Sequence, residues 1–315
     1  FLRVLKSMAR GKACGKDGLV LEALHLSPMW VKRQYFKGMI ECMESQCFPA
    51  AWSQVMYVLL LKKHGDPALI RDRRDIALMA QGMKLCMQCV RVASFARMSD
   101  RCDPAQMGFS AGVGCTDAGL LAALTLQAAR AQGGSVYVLY VDLAKFFPSC
   151  DRSNLHIAAA WKGLPEPVME LAAAIFGKMS GAFDSVHGMG DSFSLYVGCL
   201  MGCVLSPDRS KLLLDSVVMA ISATARGVAL WGSEGADLSQ IVYCDDWIGT
   251  FTSERQLHEA WALWQTWAMV VGLELGVVGT QKTTYSAGRW VRGRLQEVVM
   301  ELSLIHISEP TRQVP

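Results

Sequence analysis

Residues 240–250, QIVYCDDWIGT, place two adjacent carboxylates between two short apolar runs. Apolar runs on both sides of a short polar break predict a β-hairpin with Asp245 and Asp246 in its turn. Two ionised carboxylates side by side repel each other, and a divalent cation is the natural partner that offsets this repulsion. Asp-Asp pairs also occur in ordinary turns because Asp side chains bond to the nearby backbone. The hairpin therefore predicts an antiparallel sheet and leaves open a metal site or a plain turn.

A third carboxylate follows a second apolar strand. Residues 136–141, VYVLYV, have the composition and length of a buried strand, and Asp142 comes directly after them. A carboxylate at the end of a buried strand needs a compensating partner, because removing an unpaired charge from water is costly. Asp142 is therefore a candidate functional residue.

The composition indicates a large core and no membrane span. Of the 315 residues, 52% are hydrophobic and 19% are charged, and the mean hydropathy is +0.24. No apolar run reaches the roughly 18 residues that a spanning helix needs, and we find no signal peptide. The stripe of Trp261, Trp264 and Trp267 has helical spacing, and we interpret it as core rather than as a stacking surface for bases.

The cysteine count favours reduced thiols. Eleven cysteines are an odd number, which excludes complete disulfide pairing and favours an intracellular location. Cys86 and Cys89 have zinc-like spacing, but they lie in a predicted helix without a second Cys or His pair nearby. We interpret them as buried thiols.

Charge is distributed unevenly along the chain. Residues 1–101 contain 17 Lys and Arg against 8 Asp and Glu, whereas residues 102–315 contain 14 against 20. A basic first part suits the handling of phosphates, and an acidic second part suits metal binding. The alternative is that these charges belong to ordinary solvated faces.

Several short motifs accompany the carboxylates. In chain order they are GKACGKDG (11–18), WSQVMYVLLLKKHG (52–65), RDIAL (74–78), QMGFSAGVGCTDA (106–118), the strand before Asp142, GCLMGCVLSP (198–207), YCDD (243–246) and GLELGVVGTQKT (272–283). Their order resembles that of reverse transcriptases (RNA-dependent DNA polymerases), most like the non-LTR retrotransposon and group II intron enzymes. YCDD resembles the YxDD signature of that family.

The resemblance implies an α+β fold, with the fingers and palm of a right-hand polymerase and an antiparallel palm sheet. It assigns residues 1–135 to the fingers and fingers–palm helices and residues 136–290 to the palm. The chain begins without Met inside a predicted helix, and we expect it to be a fragment. Residues 291–315 are expected to be a truncated, non-native tail that is too short for the family's thumb.

The resemblance also implies a two-metal site for nucleotidyl transfer. Asp142, Asp245 and Asp246 would supply the carboxylates, and the backbone carbonyl of Leu143 would complete the first site. Mg²⁺ suits these oxygen ligands, with Mn²⁺ as a substitute. Lys282 would donate a proton to the leaving pyrophosphate.

Nucleotide binding is expected from residues of the fingers and of the GCLMGCVLSP loop. Lys63, at a strand end, and Arg74, on the next strand, would hold the triphosphate, the Arg as a bidentate fork and the Lys as a point charge. Gly202 would let template and nucleotide pass close to the backbone. Met201 stands where the family usually has Gln, and Met cannot make the hydrogen bonds of that Gln.

Phe147 is expected to select the sugar of the incoming nucleotide. An aromatic side chain in this position lies where a ribose 2′-hydroxyl would collide, so the resemblance implies a preference for deoxynucleotides. Phe146 can take the same part, and either ring can be a core aromatic instead.

The implied partners are an RNA template, a DNA or RNA primer, dNTPs and the missing flanking domains of a retroelement polyprotein. Two alternatives stay open, and three departures from the family pattern, Asp75 for Pro, Pro148 after Phe147, and Met201 for Gln, favour the first of them. One is a catalytically decayed copy that only binds nucleic acid. The other is an RNA-dependent RNA polymerase, which also uses paired Asp residues in a palm.

Overall fold

A computed structural model describes residues 1–99, 101–185, 188–230, 237–276, 283–291 and 294–297 of the chain. Its contacts form two compact units, each built from two chain segments. Unit 1 comprises residues 1–102 and 145–214, and unit 2 comprises residues 103–144 and 215–315. The division into fingers and palm at residue 135 assigns functional regions and stays a prediction. Most of the expected tail, from residue 298 onward, lies outside the described residues.

Helices provide most of the regular structure. In chain order they are α1 (Leu2–Ser7), α2 (Leu21–Leu26), α3 (Met29–Ser45), α4 (Gln81–Val90), α5 (Ala96–Ser99), α6 (Cys115–Gln132), α7 (Phe146–Ser149), α8 (Arg152–Trp161), α9 (Glu166–Gly177), α10 (Ser206–Thr224) and α11 (Glu254–Val271). A π-helical stretch, Arg91–Phe95, joins α4 to α5, and the predicted helix around Cys86 and Cys89 is confirmed. None of the described helices has the length and apolarity needed to cross a membrane.

The strands are short and pair mostly antiparallel. In chain order they are β1 (Gln54–Leu61), β2 (Arg73–Met79), β3 (Ser135–Val141), β4 (Ser180–Ser185), β5 (Gly188–Met189), β6 (Phe193–Ser194), β7 (Val228–Ala229), β8 (Asp237–Leu238), β9 (Gln240–Tyr243), β10 (Asp246–Phe251), β11 (Thr284–Val291) and β12 (Arg294–Glu297).

Unit 1 is built on a sheet with the order β2-β1-β4-β5, in which β6 also pairs with β4. The pair β1–β2 is antiparallel and β1–β4 is parallel. A separate apolar cluster joins the N-terminal helices to α4, because Leu5, Leu24, Met39 and Leu85 are all buried against one another. Leu26, at the end of α2, is exposed.

Unit 2 contains an antiparallel sheet with the order β12-β11-β3-β10-β9. Residues alternate between the two faces of a strand, so neighbours on β10 meet different helices. Ile248 packs into the cluster that α6 forms with β3 through Ala128, Ala129 and Val138. Trp247 packs on α11, with its ring 5.5 Å from that of Trp264 in an edge-to-face arrangement. The predicted strand before Asp142 and the predicted hairpin are therefore both present in one sheet.

The turn of the hairpin lies one residue earlier than predicted. Asp246 pairs with Tyr243, so the two-residue turn is Cys244–Asp245 and Asp246 is the first residue of β10. Cys244 has a φ of +61°, in the left-handed region. A two-residue hairpin turn needs a positive φ in its first half, because only then does its twist match that of the strands.

The tryptophan stripe is core at two of its three positions. Trp261 and Trp264 are buried, whereas Trp267 is half-buried and donates its indole N–H to Ser216 Oγ at 2.8 Å. On the strand side, Trp247 Nε1 donates to Gln240 Oε1 at 2.8 Å, and that amide in turn donates to the Val218 carbonyl. All eleven cysteines are reduced thiols, as predicted.

We expect Trp264→Ala to lower the free energy of unfolding of the chain by about 3–5 kcal/mol, because it removes a fully buried ring and leaves a cavity against Trp247. Met269→Ala is the matched control on the same helix, since Met269 is exposed and its loss should change stability by no more than about 0.5 kcal/mol. Urea titration followed by far-ultraviolet circular dichroism measures both. Equal effects of the two substitutions would contradict this packing.

Candidate active site

The register of the palm-like sheet of unit 2 brings two carboxylates together. Trp247 on β10 pairs with Val141 on β3 in the antiparallel ladder. Asp142 and Asp246 are the next residues on the two chains, directly beyond this last pair. Paired residues of an antiparallel ladder have Cα atoms about 4.5–5.5 Å apart. Two residues that lie 104 positions apart in sequence are therefore brought together at the end of two paired strands.

Both carboxylates line one cleft. Its volume is about 450 Å³, and its wall combines the ends of β3 and β10 with the first turns of α6, namely Cys115, Ala118 and Gly119. Asp142 is half-buried and Asp246 is exposed, so both side chains are accessible from the cleft. The open floor beside two carboxylates leaves room for a cation and for part of a charged ligand.

Asp245 occupies a different position from the other two carboxylates. It is exposed in the turn and is not part of the cleft wall. Among the described residues no group of three or more His, Cys, Asp or Glu is arranged to hold a metal ion. Two oxygen ligands facing one cleft suit a hard divalent cation such as Mg²⁺. The structure thus places Asp142 and Asp246 in one cleft wall and Asp245 in the adjoining turn, and the metal site built from the three carboxylates stays a prediction.

The backbone beyond Asp142 is held by residues that follow α11. Gly276 donates its N–H to the Asp142 carbonyl at 2.8 Å, and Ala144 donates to the Glu274 carbonyl at 2.9 Å. These two hydrogen bonds form an antiparallel bridge between Leu143 and Leu275. They use the carbonyl of Asp142 and the N–H of Ala144, which flank Leu143. The carbonyl of Leu143 is therefore not used by this bridge. Its side chain is buried, which fixes the direction of the peptide.

The GLELGVVGTQKT segment contributes a hydroxyl at the same place. Thr283 is fully buried, and its Oγ1 accepts a hydrogen bond from the Asp142 N–H at 3.3 Å. Lys282, the predicted proton donor, lies outside the described residues.

The QMGF segment supports the hairpin from behind, a role that the sequence did not specify. Met107 and Gly108 both donate their N–H groups to the Val242 carbonyl, at 2.8 and 3.2 Å, and Val242 donates to the Ala105 carbonyl at 2.8 Å. Gln106 is buried and its amide donates to Asp215 Oδ1 at 2.6 Å. The only sequence signal for this contact was Gly108 itself, because a Cβ on this residue would lie 2.1 Å from the Cys244 nitrogen.

The thiol of Cys244 stays protonated at neutral pH. Burial raises its pKa to about 11, with a further contribution from the negative charges of Asp245 and Asp246. A neutral thiol between β9 and the carboxylates adds no third negative charge to the turn.

The residues predicted to bind the nucleotide lie in unit 1. Lys63 is in the turn after β1, and Arg74 is on β2, where it pairs with Leu60; both side chains are exposed. The Asp72 carboxylate accepts the Asp66 N–H at 3.0 Å and so closes the turn between the two strands. Two exposed cations therefore lie on one β-hairpin.

The GCLMGCVLSP loop docks on the same hairpin. Ala77 donates its N–H to the Met201 carbonyl at 2.7 Å. Gly202 has a φ of +107°, and a Cβ there would lie 2.6 Å from the Ala77 carbonyl oxygen. The Met201 side chain is half-buried. Gly202 thus allows the loop to approach β2 closely. From the sequence, the small size of Gly202 was expected to make room for template and nucleotide instead.

Phe147 is the more accessible of the two neighbouring phenylalanines. Phe146 is buried, whereas Phe147 is half-buried and its carbonyl accepts the Cys199 N–H at 2.7 Å. The ring centroids are 5.9 Å apart. Phe146 is therefore a core aromatic, and Phe147 is the candidate for contact with a ligand.

Comparison with known protein families identifies one match. The family model described as "Reverse transcriptase (RNA-dependent DNA polymerase)" matches residues 61–291, which include the hairpin, Asp142 and the GCLMGCVLSP loop. No curated protein sequence matches the chain significantly.

Solved structures with a similar fold include two telomerases. One, described as apo telomerase from Candida tropicalis truncated from its C-terminal domain, is 12% identical, with a TM-score of 0.53 over 80% of this chain and 56% of that chain. The other, telomerase from Candida albicans in complex with a TWJ fragment of telomeric RNA, is 9% identical, with a TM-score of 0.53 over 88% of this chain and 51% of that chain. The chain thus spans about half the length of these relatives. The predicted α+β polymerase fold with antiparallel sheets is confirmed.

We expect Gly108→Ala to destabilise the chain by about 1–3 kcal/mol, because the added methyl group overlaps backbone atoms of the hairpin turn. Gly119→Ala is the matched control: Gly119 lies inside α6 with open space around its Cα, and Ala there should stabilise the helix by up to about 1 kcal/mol. Thermal unfolding measures the midpoint temperature of each variant, which should fall for Gly108→Ala and rise for Gly119→Ala. A neutral Gly108→Ala would contradict the close contact between QMGF and the hairpin.

Proposed function

The chain belongs to the reverse transcriptase (RNA-dependent DNA polymerase) family, and from this premise we propose that it extends a primer on an RNA template by adding deoxynucleotides. One observation carries the proposal. Asp142 and Asp246, on adjacent strands within the matched region, line a single cleft of about 450 Å³. Carboxylates placed in this way are suited to hold the divalent cations of phosphoryl transfer.

The carboxylates and the neighbouring backbone would hold the metal ions. Asp142 and Asp246 line the cleft, the Leu143 carbonyl follows Asp142, and we assign Asp245, the residue before Asp246, to the same site from its place in the YCDD motif. When bound, two Mg²⁺ ions supply Lewis-acid activation of the primer hydroxyl and neutralise charge on the leaving pyrophosphate. Mn²⁺ has the same ligand preference and would substitute. The chain's own contribution is to fix these oxygens on paired strands before the reactants arrive, which avoids reorganisation during the reaction.

Cations on the β1–β2 hairpin would bind the triphosphate. Arg74 offers a planar fork for two phosphate oxygens, and Lys63 offers a point charge. Both side chains are exposed and available. Gly202 and Met201 hold the neighbouring loop against β2, so this loop would form the nucleotide's other boundary. We assign the proton for the leaving pyrophosphate to Lys282, on the strength of its place in the GLELGVVGTQKT motif.

The polymer partners follow from the family and from the order of the motifs. We propose an RNA template and a DNA or RNA primer as substrates. We also propose that the chain is part of a retroelement polyprotein, because the motifs most resemble those of the non-LTR retrotransposon and group II intron enzymes. The solved telomerases share the fold at 9–12% identity. Telomere synthesis is therefore a related activity of the same fold, and the template that the chain copies would distinguish it from retroelement copying.

Substitution of the cleft carboxylates tests the chemistry. We expect Asp142→Asn, Asp245→Asn and Asp246→Asn each to lower incorporation of dNTPs by about 100- to 1000-fold, the scale lost with one preorganised electrostatic group. The assay is extension of a DNA primer on an RNA template with Mg²⁺. Asn matches Asp in volume, so folding measured by circular dichroism should be unchanged.

Glu259→Gln is the matched control, since Glu259 lies on α11 in an exposed i,i+4 pair with Arg255. It removes one charge from unit 2 without touching the cleft and should leave incorporation unchanged. Near-wild-type extension by Asp142→Asn would contradict the assignment of the site. Absence of extension by the wild-type chain with either Mg²⁺ or Mn²⁺ would contradict the activity, and its recovery in Met201→Gln would favour a decayed copy.

Phe147→Val tests sugar selection. A smaller side chain should relieve the collision with a 2′-hydroxyl, so the ratio of dNTP to NTP incorporation should fall by at least about tenfold. Competition between labelled dNTP and NTP on the same primer measures this ratio. Ile157→Val, on the exposed face of α8, is the control and should leave the ratio unchanged. A wild-type chain that prefers NTPs would support the RNA-dependent RNA polymerase instead.

A further inference from the structure

Two cysteines of unit 1 lie side by side in a buried, positively charged pocket. Cys150 follows α7 and Cys199 lies in the GCLMGCVLSP loop, and both are buried. Their backbones are joined by two hydrogen bonds, from Gly198 N–H to the Cys150 carbonyl (2.9 Å) and from Cys199 N–H to the Phe147 carbonyl (2.7 Å). The Cys150 thiol donates to the Phe146 carbonyl at 3.2 Å and lies close enough to the Cys199 thiol for each to influence the other's protonation. The backbone bonds hold two cysteines side by side on segments that are 49 residues apart.

The positive charge comes from two arginines. Arg209 is buried, and its guanidinium carbon lies 4.5 Å from the ring centre of Phe176. Arg152 donates one N–H to the Phe176 carbonyl at 2.7 Å. Its Nε and other terminal nitrogen are buried without a hydrogen-bond partner among the described residues. Burying two like charges is costly unless an anion compensates them.

The groups that act electrostatically on these arginines are thiols and a phenol rather than carboxylates. They are Cys150, Cys199, Cys203 and Tyr57. Asp208, the neighbour of Arg209 in sequence, is paired with Arg91. A thiolate is therefore the anion that this pocket can supply from its own residues.

A cleft reaches one of the two cysteines. Cys199 is part of the wall of this cleft of about 190 Å³, together with Asp75, Tyr57 and apolar side chains such as Phe183 and Phe193. Cys150 is fully buried and is not in the cleft wall. A small molecule in the cleft would therefore meet Cys199 before Cys150.

We propose that Cys199 and Cys150 form a thiol–disulfide exchange site whose substrates are small organic disulfides, with Cys199 as the attacking thiol and Cys150 as the resolving thiol. The site is distinct from the Asp142–Asp246 cleft, and the proposal does not depend on polymerase activity.

The reaction balances without a further oxidant. The Cys199 thiolate attacks one sulfur of a disulfide RSSR, which forms a Cys199–SR bond and releases RS⁻. Cys150 then gives its proton to RS⁻ and attacks the Cys199 sulfur, which forms the Cys150–Cys199 bond and releases a second RS⁻. That second thiolate takes up the proton that Cys199 had lost to solvent. Two protein thiols are oxidised, and one RSSR is reduced to two RSH.

The protonation states agree with these roles. The contact with Cys150 and the charges of Arg209 and Arg152 lower the pKa of Cys199. The contact with Cys199 and burial raise the pKa of Cys150. Reactive thiols occur where positive charge stabilises the thiolate and a reagent has access; Cys199 has the charge beside it and lies in a cleft wall.

The test maps disulfides in the full-length chain. The chain is treated with bis(2-hydroxyethyl) disulfide, a probe small enough for the cleft, and the remaining thiols are blocked with iodoacetamide before digestion with trypsin. Cleavage after Lys and Arg places Cys150 on peptide 146–152 and Cys199 together with Cys203 on peptide 179–209. We expect these two peptides to be recovered as one cross-linked species by mass spectrometry.

Three variants assign the sulfurs. Cys203→Ser is the matched control, because it leaves Cys199 as the only thiol on its peptide, and the cross-link should persist. Cys199→Ser should abolish the cross-link. Cys150→Ser should stop at the mixed disulfide, seen as one probe adduct on Cys199.

Exposed Cys47 reports that the probe is active in each sample. A wild-type chain in which Cys47 carries the probe while peptides 146–152 and 179–209 stay separate would overturn the proposal. A cross-link that disappears in Cys203→Ser would also overturn it, because Cys203 would then be the partner. If Cys199→Ser fails to fold by circular dichroism, the wild-type and Cys203→Ser maps decide the question on their own.

Discussion

The antiparallel pairing of β3 with β10 is the constraint on which the candidate active site depends. The pair Val141–Trp247 sets the register, and a shift by one residue would turn every side chain of β10 to the other face of the sheet. Trp247 would then leave α11, and Asp246 would leave the cleft. The buried ring of Trp247, held by its edge contact to Trp264 and by the hydrogen bond to Gln240, therefore fixes the position of a carboxylate that it does not touch.

The hairpin turn is supported by backbone rather than by side chains. Cys244 has a positive φ, a conformation that costs a non-glycine residue of order 1–2 kcal/mol. The surrounding structure offsets this cost, since Gly108 packs against the turn and the QMGF segment bonds to β9 through the Val242 carbonyl. A glycine that looks like a flexible loop residue in the sequence is thus part of the rigid base of the hairpin turn.

In unit 1, backbone hydrogen bonds and a close-packed glycine likewise hold a loop in place, here the GCLMGCVLSP loop. The GCLMGCVLSP loop is held to β2 through Met201 and Gly202 and to the residues around α7 through Cys199. These contacts place exposed cations of the β1–β2 hairpin and the half-buried Phe147 in one unit. They also bring Cys150 and Cys199 together beside buried arginines, so one loop serves both the proposed nucleotide site and the proposed thiol pair.

The sequence by itself determined the hairpin, the strand before Asp142, the tryptophan core and the order of the motifs, because periodicity and turn chemistry are local properties of a chain. It placed the turn one residue late, and it missed β11. That strand contains Ser-Ala-Gly (286–288), residues with a low propensity for β-strands, and it forms because it pairs with β3. Only the tertiary structure decided that Asp142 and Asp246 share a cleft, that Asp245 lies outside it and that Gly108 supports the turn. Each of these depends on register and close packing between segments far apart in sequence, which no local pattern encodes.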